Sequence, residues 1–392
     1  MYKVLTLNNI AVAGLRRLPR DRYEIASEMS QPDAIILRSY NMHDMTIPAS
    51  VAAIGRAGAG TNNIPVDAMS KRGVPVFNAP GANANAVKEL AIAGLLVAAR
   101  NLCAASEYVK SLTETGEALE KKVEAAKKQF VGFELPGRTL GVIGLGAIGV
   151  EVANAALALG MKVVGYDPKM TVRNAWQLSS GVQQAETLDQ LFQKADAVSC
   201  HVPLAEATRG MINGTRLELM NKGAVLINFA RGGVVDNPSV LKALDNGRLH
   251  AYVCDFPTPE LIAHPKVVAL PHLGASTSEA EENCAVMVAE NVRDYLENGN
   301  IRHSVNFPDC RLPRAQAHRI TIANANVPNM VGQISTCLAE AGLNIEDLLN
   351  KSQGELAYTI VDVNGPVTPE TVTRIRAIDG VLALRNLGEP VT

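Results

Sequence analysis

The chain is 392 residues long, 47% hydrophobic and 19% charged, with a formal net charge of −2. That length exceeds one hydrophobic core and predicts two or three domains. With no basic block and no aromatic-basic stripe, the charge pattern excludes nucleic acid and anionic membrane as expected partners.

Met1 leads straight into the strand-like run Tyr2–Leu7, with no signal segment. Ala34–Arg38 and Ala52–Arg56 read as buried parallel strands. A helix over 84–100 follows, and its near-continuous apolarity predicts burial on most sides. Its most apolar part, Leu90–Ala99, is too short to span a bilayer. A second helix is expected over 106–128, solvated, with Glu117/Lys121 and Glu124/Lys128 paired at i,i+4 spacing. From Leu135 to Leu270 strands at 139–144, 162–167, 196–202, 224–229 and 250–255 alternate with helices near 147–159, 187–194, 215–221 and 237–246. This rhythm predicts a doubly wound parallel sheet. Its crevice lies at the carboxyl ends of the strands, where Gly146, Asp167, Pro203, Arg231 and Asp255 fall.

A helix over 276–298 ends at Gly299, and Cys310–Arg314 reads as a linker. The tail then follows a β-α-β-β-α-β order: strands 318–324, 344–350, 356–363 and 381–387, helices 328–341 and 369–378. That is a ferredoxin-like plan. It carries no acid/base cluster, so a regulatory or structural role is expected. The six cysteines (103, 200, 254, 284, 310, 337) include no C-x-x-C pair. Neither a metal site nor a disulfide framework is expected, and a reduced, cytoplasmic compartment is.

Gly144-Leu145-Gly146-Ala147-Ile148-Gly149 follows the apolar run Leu140–Ile143 and opens a helix. Gly144 allows the tight turn, Gly146 admits a pyrophosphate close to the backbone, and Gly149 lets helix and strand approach. The helix start suits an anion. Asp167 ends the next strand, eighteen residues beyond Gly149. Its carboxylate suits the adenosine ribose hydroxyls and favours NAD over NADP.

Three polar residues follow apolar strands further on: Arg231, Glu260 and His272. Oxidising a 2-hydroxy acid requires a grip on its carboxylate, which a planar guanidinium supplies. It requires a base for the hydroxyl proton, which suits imidazole. A carboxylate beside that imidazole would orient it and favour its charged form.

On these residues the chain resembles the D-2-hydroxyacid dehydrogenase family, in the short form with a C-terminal ACT domain. The resemblance rests also on Gly55–Gly60, Asn78–Asn83, Val87-Lys88-Glu89, His201-Val202-Pro203, Ala230-Arg231-Gly232 and Pro271–Gly274. It implies a Rossmann-type NAD-binding domain at 101–271 and a discontinuous, flavodoxin-like substrate domain at 1–100 and 272–308. An ACT-like ferredoxin-like domain at 316–392 completes the plan. It implies Arg231, Glu260 and His272 as the catalytic set. Ala147, Ile148, Val202, Ala230 and Gly274 would line the NAD, with Asp255 bonding its carboxamide and His201 placed beside it.

The resemblance further implies that Ala57, Gly58, Ala59 and Gly60 hold the substrate carboxylate beside Arg231, with Asn83 in the substrate set. Arg38 would take a phosphate and Arg56 would hold the loop, while Lys127 and Lys128 would reach a neighbouring subunit. Asn324, Asn326 and Asn344 fall where an amino-acid effector, L-serine, is bound in relatives, although Asn324 replaces a histidine and Asn329 a glycine. The implied activity is oxidation of 3-phospho-D-glycerate to 3-phosphohydroxypyruvate, the first step of serine synthesis, by a homodimer or homotetramer. The alternatives are another D-2-hydroxy acid (glycerate, lactate) or an NADH-sensing scaffold.

Overall fold

A computed structural model describes residues 1–314 and 318–388. The chain divides into two compact units, Met1–Ala82 with Glu281–Thr392, and Asn83–Ala280.

The first unit begins with five parallel strands: β1 (Tyr2–Leu7), β2 (Tyr23–Ala26), β3 (Ala34–Leu37), β4 (Ala53–Arg56) and β5 (Val76–Phe77). Their order, β2-β1-β3-β4-β5, is that of flavodoxin-like sheets. All four residues of β3 are fully buried, as a strand covered on both faces requires. The long helix Ser278–Asn298 lies against it, closely enough that a Cβ at Gly55 would come within 2.6 Å of Val288.

The second unit holds seven parallel strands: β6 (Thr139–Ile143), β7 (Lys162–Tyr166), β8 (Gln183–Gln184), β9 (Ala197–Cys200), β10 (Ala224–Asn228), β11 (Leu249–Cys254) and β12 (Val267–Ala269). The order β12-β11-β10-β9-β6-β7-β8 is doubly wound about the β6/β9 switch point. The helix Ala84–Ala99 belongs to this unit. A Cβ at its Gly94 would lie 3.2 Å from Phe229 and Val253, and Val87, Ala91, Leu95 and Ala98 share a core with Leu140, Val142 and Ile227. The division therefore falls at 82/83 and 280/281, not at 100/101 and 271/272. That helix is buried along one stripe only, with Ala93 and Leu96 exposed. The single helix expected over 106–128 is two, Leu102–Ser111 and Gly116–Ala126, broken before Gly116, whose φ is +59°. Glu124 pairs with Lys127 rather than Lys128.

The tail has the expected β-α-β-β-α-β order, with β13 (His318–Ala325), β14 (Ile345–Gln353), β15 (Leu356–Val363) and β16 (Val381–Gly388). These form an antiparallel sheet, β14-β15-β13-β16. One face, through Ile320, Ile322, Val361 and Val363, packs with the helices Met330–Glu340 and Pro369–Arg376. The other, through Ala323, Tyr358 and Ile360, joins a core with Phe77, Tyr295, Leu296 and Phe307. The tail is thus part of the first compact unit; positions 316, 317 and 389–392 of its expected span lie outside the described residues.

Cys310–Arg314 is accordingly no free linker. Cys310 is fully buried and pairs with Ile301, and Leu312 packs into the shared core. The last carbonyls of a helix need outside donors, and arginines supply them to Ser278–Asn298. Arg385 donates to Tyr295 O and Leu296 O (2.6 and 2.8 Å), Arg314 to Glu297 O, and Arg319 to Asn298 O (3.0 Å).

Candidate active site

β6 runs into the glycine turn at the centre of the second sheet. Gly144 sits at φ +86°, and a Cβ there would lie 2.7 Å from His201 O. At Gly149 a Cβ would lie 1.8 Å from Gly144 O, so the helix Ala147–Ala158 can start here only without a side chain. Gly146 caps that helix with no side-chain hydrogen bond, and a Cβ there meets no atom within 4 Å. The helix therefore opens with free amides beside an open backbone, the arrangement that receives a pyrophosphate. Asp167 stands beside it. Its Oδ2 accepts Leu145 N–H and its Oδ1 accepts Lys169 N–H, both at 2.8 Å. The carboxylate is fixed against the fingerprint with lone pairs left for ribose hydroxyls. Val202 lines the same turn, its Cγ1 2.8 Å from the Cβ position of Gly144.

Asp255 follows β11 and is 1% exposed. Its Oδ2 accepts Gly274 N–H at 3.3 Å, while Oδ1 is buried with no partner. A buried acceptor without a donor is costly, and a carboxamide N–H would satisfy it. Burial raises the Asp255 carboxyl above its ordinary range, against the pull of the His272 and Arg231 charges. Two of the three expected catalytic residues, Arg231 and His272, are thus felt at Asp255. His272 follows β12, with its N–H on Asp255 O (3.1 Å) and its ring 4.6 Å from that of Phe256. Arg231 opens the turn Gly232–Val234, and its Nη1 rests on Ala230 O at 2.7 Å.

Asn228 shapes that turn and was not singled out in the sequence. It is fully buried at the end of β10, donating to Arg231 O (3.0 Å) and accepting Ala230 N–H (3.1 Å). A lone asparagine closing the apolar run Ala224–Ile227 was the available signal.

Glu260 departs from expectation. Among the described residues it forms no ion pair with His272. It is exposed in the first turn of the helix Pro259–Ile262, on a groove with Asp245, His264 and Lys266. A hydrogen bond from its own amide holds its carboxyl below the usual range. His201 is half-buried, with Nε2 2.9 Å from Ser199 Oγ, and burial pushes its ring down to about 4. A ring neutral at physiological pH suits placement beside the cofactor better than proton transfer.

In the first unit, Arg38 follows β3 and pairs with Glu281. Of the four expected carboxylate-holding amides, two are already engaged. Ala57 N–H donates to Leu37 O (2.7 Å) and Gly58 N–H to Arg56 O (2.8 Å). Only those of Ala59 and Gly60 lack an acceptor among the described residues. Arg56 donates from Nε to Arg38 O and covers Gly58, in keeping with a loop-holding role. Asn83, in the second unit, has a buried Oδ1 without a partner.

The three effector asparagines do not meet within the chain. Asn324 is buried and bonded to Ala325 O (2.7 Å), and Asn326 to Gly354 O (3.0 Å). Asn344 lies beside Asn364, near His318 at the opposite end of β13. Six residues of strand separate the two ends, about 20 Å. Among the described residues no cluster of three or more His, Cys, Asp or Glu is placed to hold a metal, and no single helix is long and apolar enough to cross a membrane.

The cradle, the aspartate and the Arg231/His272 pair define a dinucleotide-dependent oxidoreductase. The family model "D-isomer specific 2-hydroxyacid dehydrogenase, NAD binding domain" matches residues 92–274. The chain is 33% identical over 350 residues to the D-3-phosphoglycerate dehydrogenase of Escherichia coli, covering 86% of this chain and 82% of that one. It is 32% identical over 378 residues to that of Methanocaldococcus jannaschii, covering 93% and 69%. The NAD+-bound 3-phosphoglycerate dehydrogenase of Entamoeba histolytica superposes with a TM-score of 0.60 at 25% identity, covering 78% and 98%. The chain belongs to the D-isomer-specific 2-hydroxyacid dehydrogenase family, and its cofactor is NAD.

Proposed function

We propose that the chain oxidises 3-phospho-D-glycerate to 3-phosphohydroxypyruvate, the first step of serine biosynthesis. The observation that carries the reading is Asp255, buried with one unpartnered oxygen and under the charges of both Arg231 and His272. The substrate follows from relatives that bear this activity in their names and align over most of both chains.

Gly144, Gly146 and Gly149 would cradle the pyrophosphate of NAD, Asp167 its ribose, and Asp255 its carboxamide. When bound, NAD accepts the hydride from the substrate C2. Arg231 takes the carboxylate and polarises the reacting end. His272 takes the hydroxyl proton as the C2 oxygen becomes a carbonyl. Glu260 is assigned as the carboxylate that reaches the imidazolium in the loaded complex, where catalytic hydrogen bonds tighten. Arg38 takes the phosphate.

The tail is assigned as an ACT domain on its β-α-β-β-α-β order, with L-serine as the first amino acid to test. The assembly is proposed as a cytoplasmic homodimer or homotetramer.

The test is NADH formation with 3-phospho-D-glycerate, D-glycerate and D-lactate, with the oxo product trapped. Strong phosphate-dependent turnover that His272→Ala abolishes is the expected result. Turnover on an unphosphorylated acid alone would replace the substrate. NADH binding without any turnover would replace the enzyme with a sensor.

A further inference from the structure

Arg38, which the reading above assigns to the phosphate, already has an anionic partner. Its Nη2 lies 2.8 Å from Glu281 Oε1, and the two side chains are 37% and 41% exposed. Among the described residues Glu281 is the only acceptor of that guanidinium. The backbone behind it is pinned, because Arg38 O accepts Arg56 Nε (3.1 Å) and Asn63 Nδ2 (3.2 Å). Arg56 itself covers Gly58, where a Cβ would fall 2.0 Å from Nη1. Glu281 sits near the start of the helix Ser278–Asn298. Cys284, one turn further on, is buried, and burial raises its thiol against the pull of the Arg56 and Arg38 charges. Two guanidiniums and one carboxylate are therefore gathered at one end of a helix anchored at its other end.

We infer that Glu281 is a placeholder anion on Arg38 and sets the preference for phosphorylated over unphosphorylated substrate. This rests on Arg38 as the phosphate cation. Glu281 holds one edge of the guanidinium, orienting the other towards a ligand. A phosphate dianion arriving there meets a carboxylate of the same sign on the same cation. Its affinity is thus held below what Arg38 alone would supply. An uncharged substrate end does not sense that charge, so Glu281 acts on KM for the phosphorylated substrate and on nothing else.

Glu281→Gln keeps the shape and the acceptor oxygen and removes only the charge. For a half-exposed pair the expected change is a fall of about three- to five-fold in KM for 3-phospho-D-glycerate. The inhibition constant of inorganic phosphate should fall in parallel. The kcat values and KM for D-glycerate should stay within about two-fold, given the small worth of exposed pairs. In an Arg38→Ala background the same substitution should change nothing, because the cation it acts on is gone. Glu281→Ala, with its melting temperature measured, serves as the second variant if the glutamine form is poorly folded. If Arg38→Ala is phosphate-selective but Glu281→Gln leaves KM unchanged or raises it, the placeholder is overturned and the phosphate reading stands. If Arg38→Ala weakens both substrates equally, the phosphate reading fails and this inference fails with it.

Discussion

Asp362→Ala offers the sharpest test of what holds the tail to the rest of the first unit. Arg319 is fully buried, and its five N–H groups are all used. Nε and Nη2 donate to the two Asp362 oxygens at 2.6 Å, while Nη1 donates to Asn298 O and Leu312 O and Nη2 also to Pro313 O, at 2.9–3.0 Å. Removing the carboxylate strands a buried cation and two donors, at a cost of about 3–5 kcal/mol. In a unit of this size each kcal/mol lowers the melting point by about 2–4 °C, so the transition should fall by about 6–20 °C. Scanning calorimetry is the assay, because a chain of two units need not melt in one step. The apolar double variant Arg319→Met/Asp362→Leu should recover only part of the loss. It removes both charges but leaves three carbonyls without donors, at roughly 1 kcal/mol or more each. An Asp362→Ala protein melting within about 2 °C of the parent would refute the reasoning.

At Gly149, even alanine forces an atom to 1.8 Å from Gly144 O; NADH affinity measured by fluorescence should drop at least about ten-fold, and unchanged binding would contradict the cradle. His201 has its ring pushed from 6.5 to about 4 by burial. Between those values the unfolded chain takes up the proton first, so this contribution is complete above about pH 6.5 and is lost as pH falls towards 4. Denaturant midpoints across that window should be less acid-sensitive in His201→Gln, and equal slopes would remove the histidine from the account. Glu260→Gln tests whether that carboxylate reaches His272 during turnover. Reduction of the oxo acid needs a protonated imidazole, so the alkaline limb of its profile should move to lower pH. An unmoved limb would leave Asp255 as the charge that matters.

Residues whose chemistry is local were legible before the fold was known. The strand-turn-helix from Leu140 onwards, the aspartate ending β7, and the arginine and histidine past β10 and β12 all sit where periodicity and glycine spacing placed them. The misses share a different cause. β5 and β8 have two residues each, too few for alternation to register, and Gln183–Gln184 is exposed besides. The helix over 106–128 carries a helical charge pattern throughout, and extended backbone at Leu112 and Thr115, just before a glycine at positive φ, divides it. Cys310–Arg314 looked like a linker because Pro, Arg and Cys have no period. Burial of that segment depends on Leu349 and Tyr358, distant in sequence. Glu260 was paired with His272 by chemical need, and chemical need does not supply a distance.

The same distinction explains why the tail, expected as a domain of its own, shares a compact unit with the first sheet. Its internal plan is local and readable, whereas its attachment is made of side chains that satisfy another element's backbone. A helix ending inside a protein leaves carbonyls that water cannot reach. Arg385, Arg314 and Arg319 come from β16, from the segment before β13 and from β13 itself. Each guanidinium offers several donors in a fixed plane, so one side chain can serve two carbonyls, as Arg385 does at Tyr295 and Leu296. Their positive charge also complements the negative end of the helix dipole. Lysines there would be equally basic in the sequence but would lack that planar fork. The helix that carries Glu281 at its start is therefore fixed at its end by the tail, and its two ends do different work. One presents a carboxylate to Arg38, and the other gives the tail sheet a rigid seat in the core it shares with Phe77 and Tyr295.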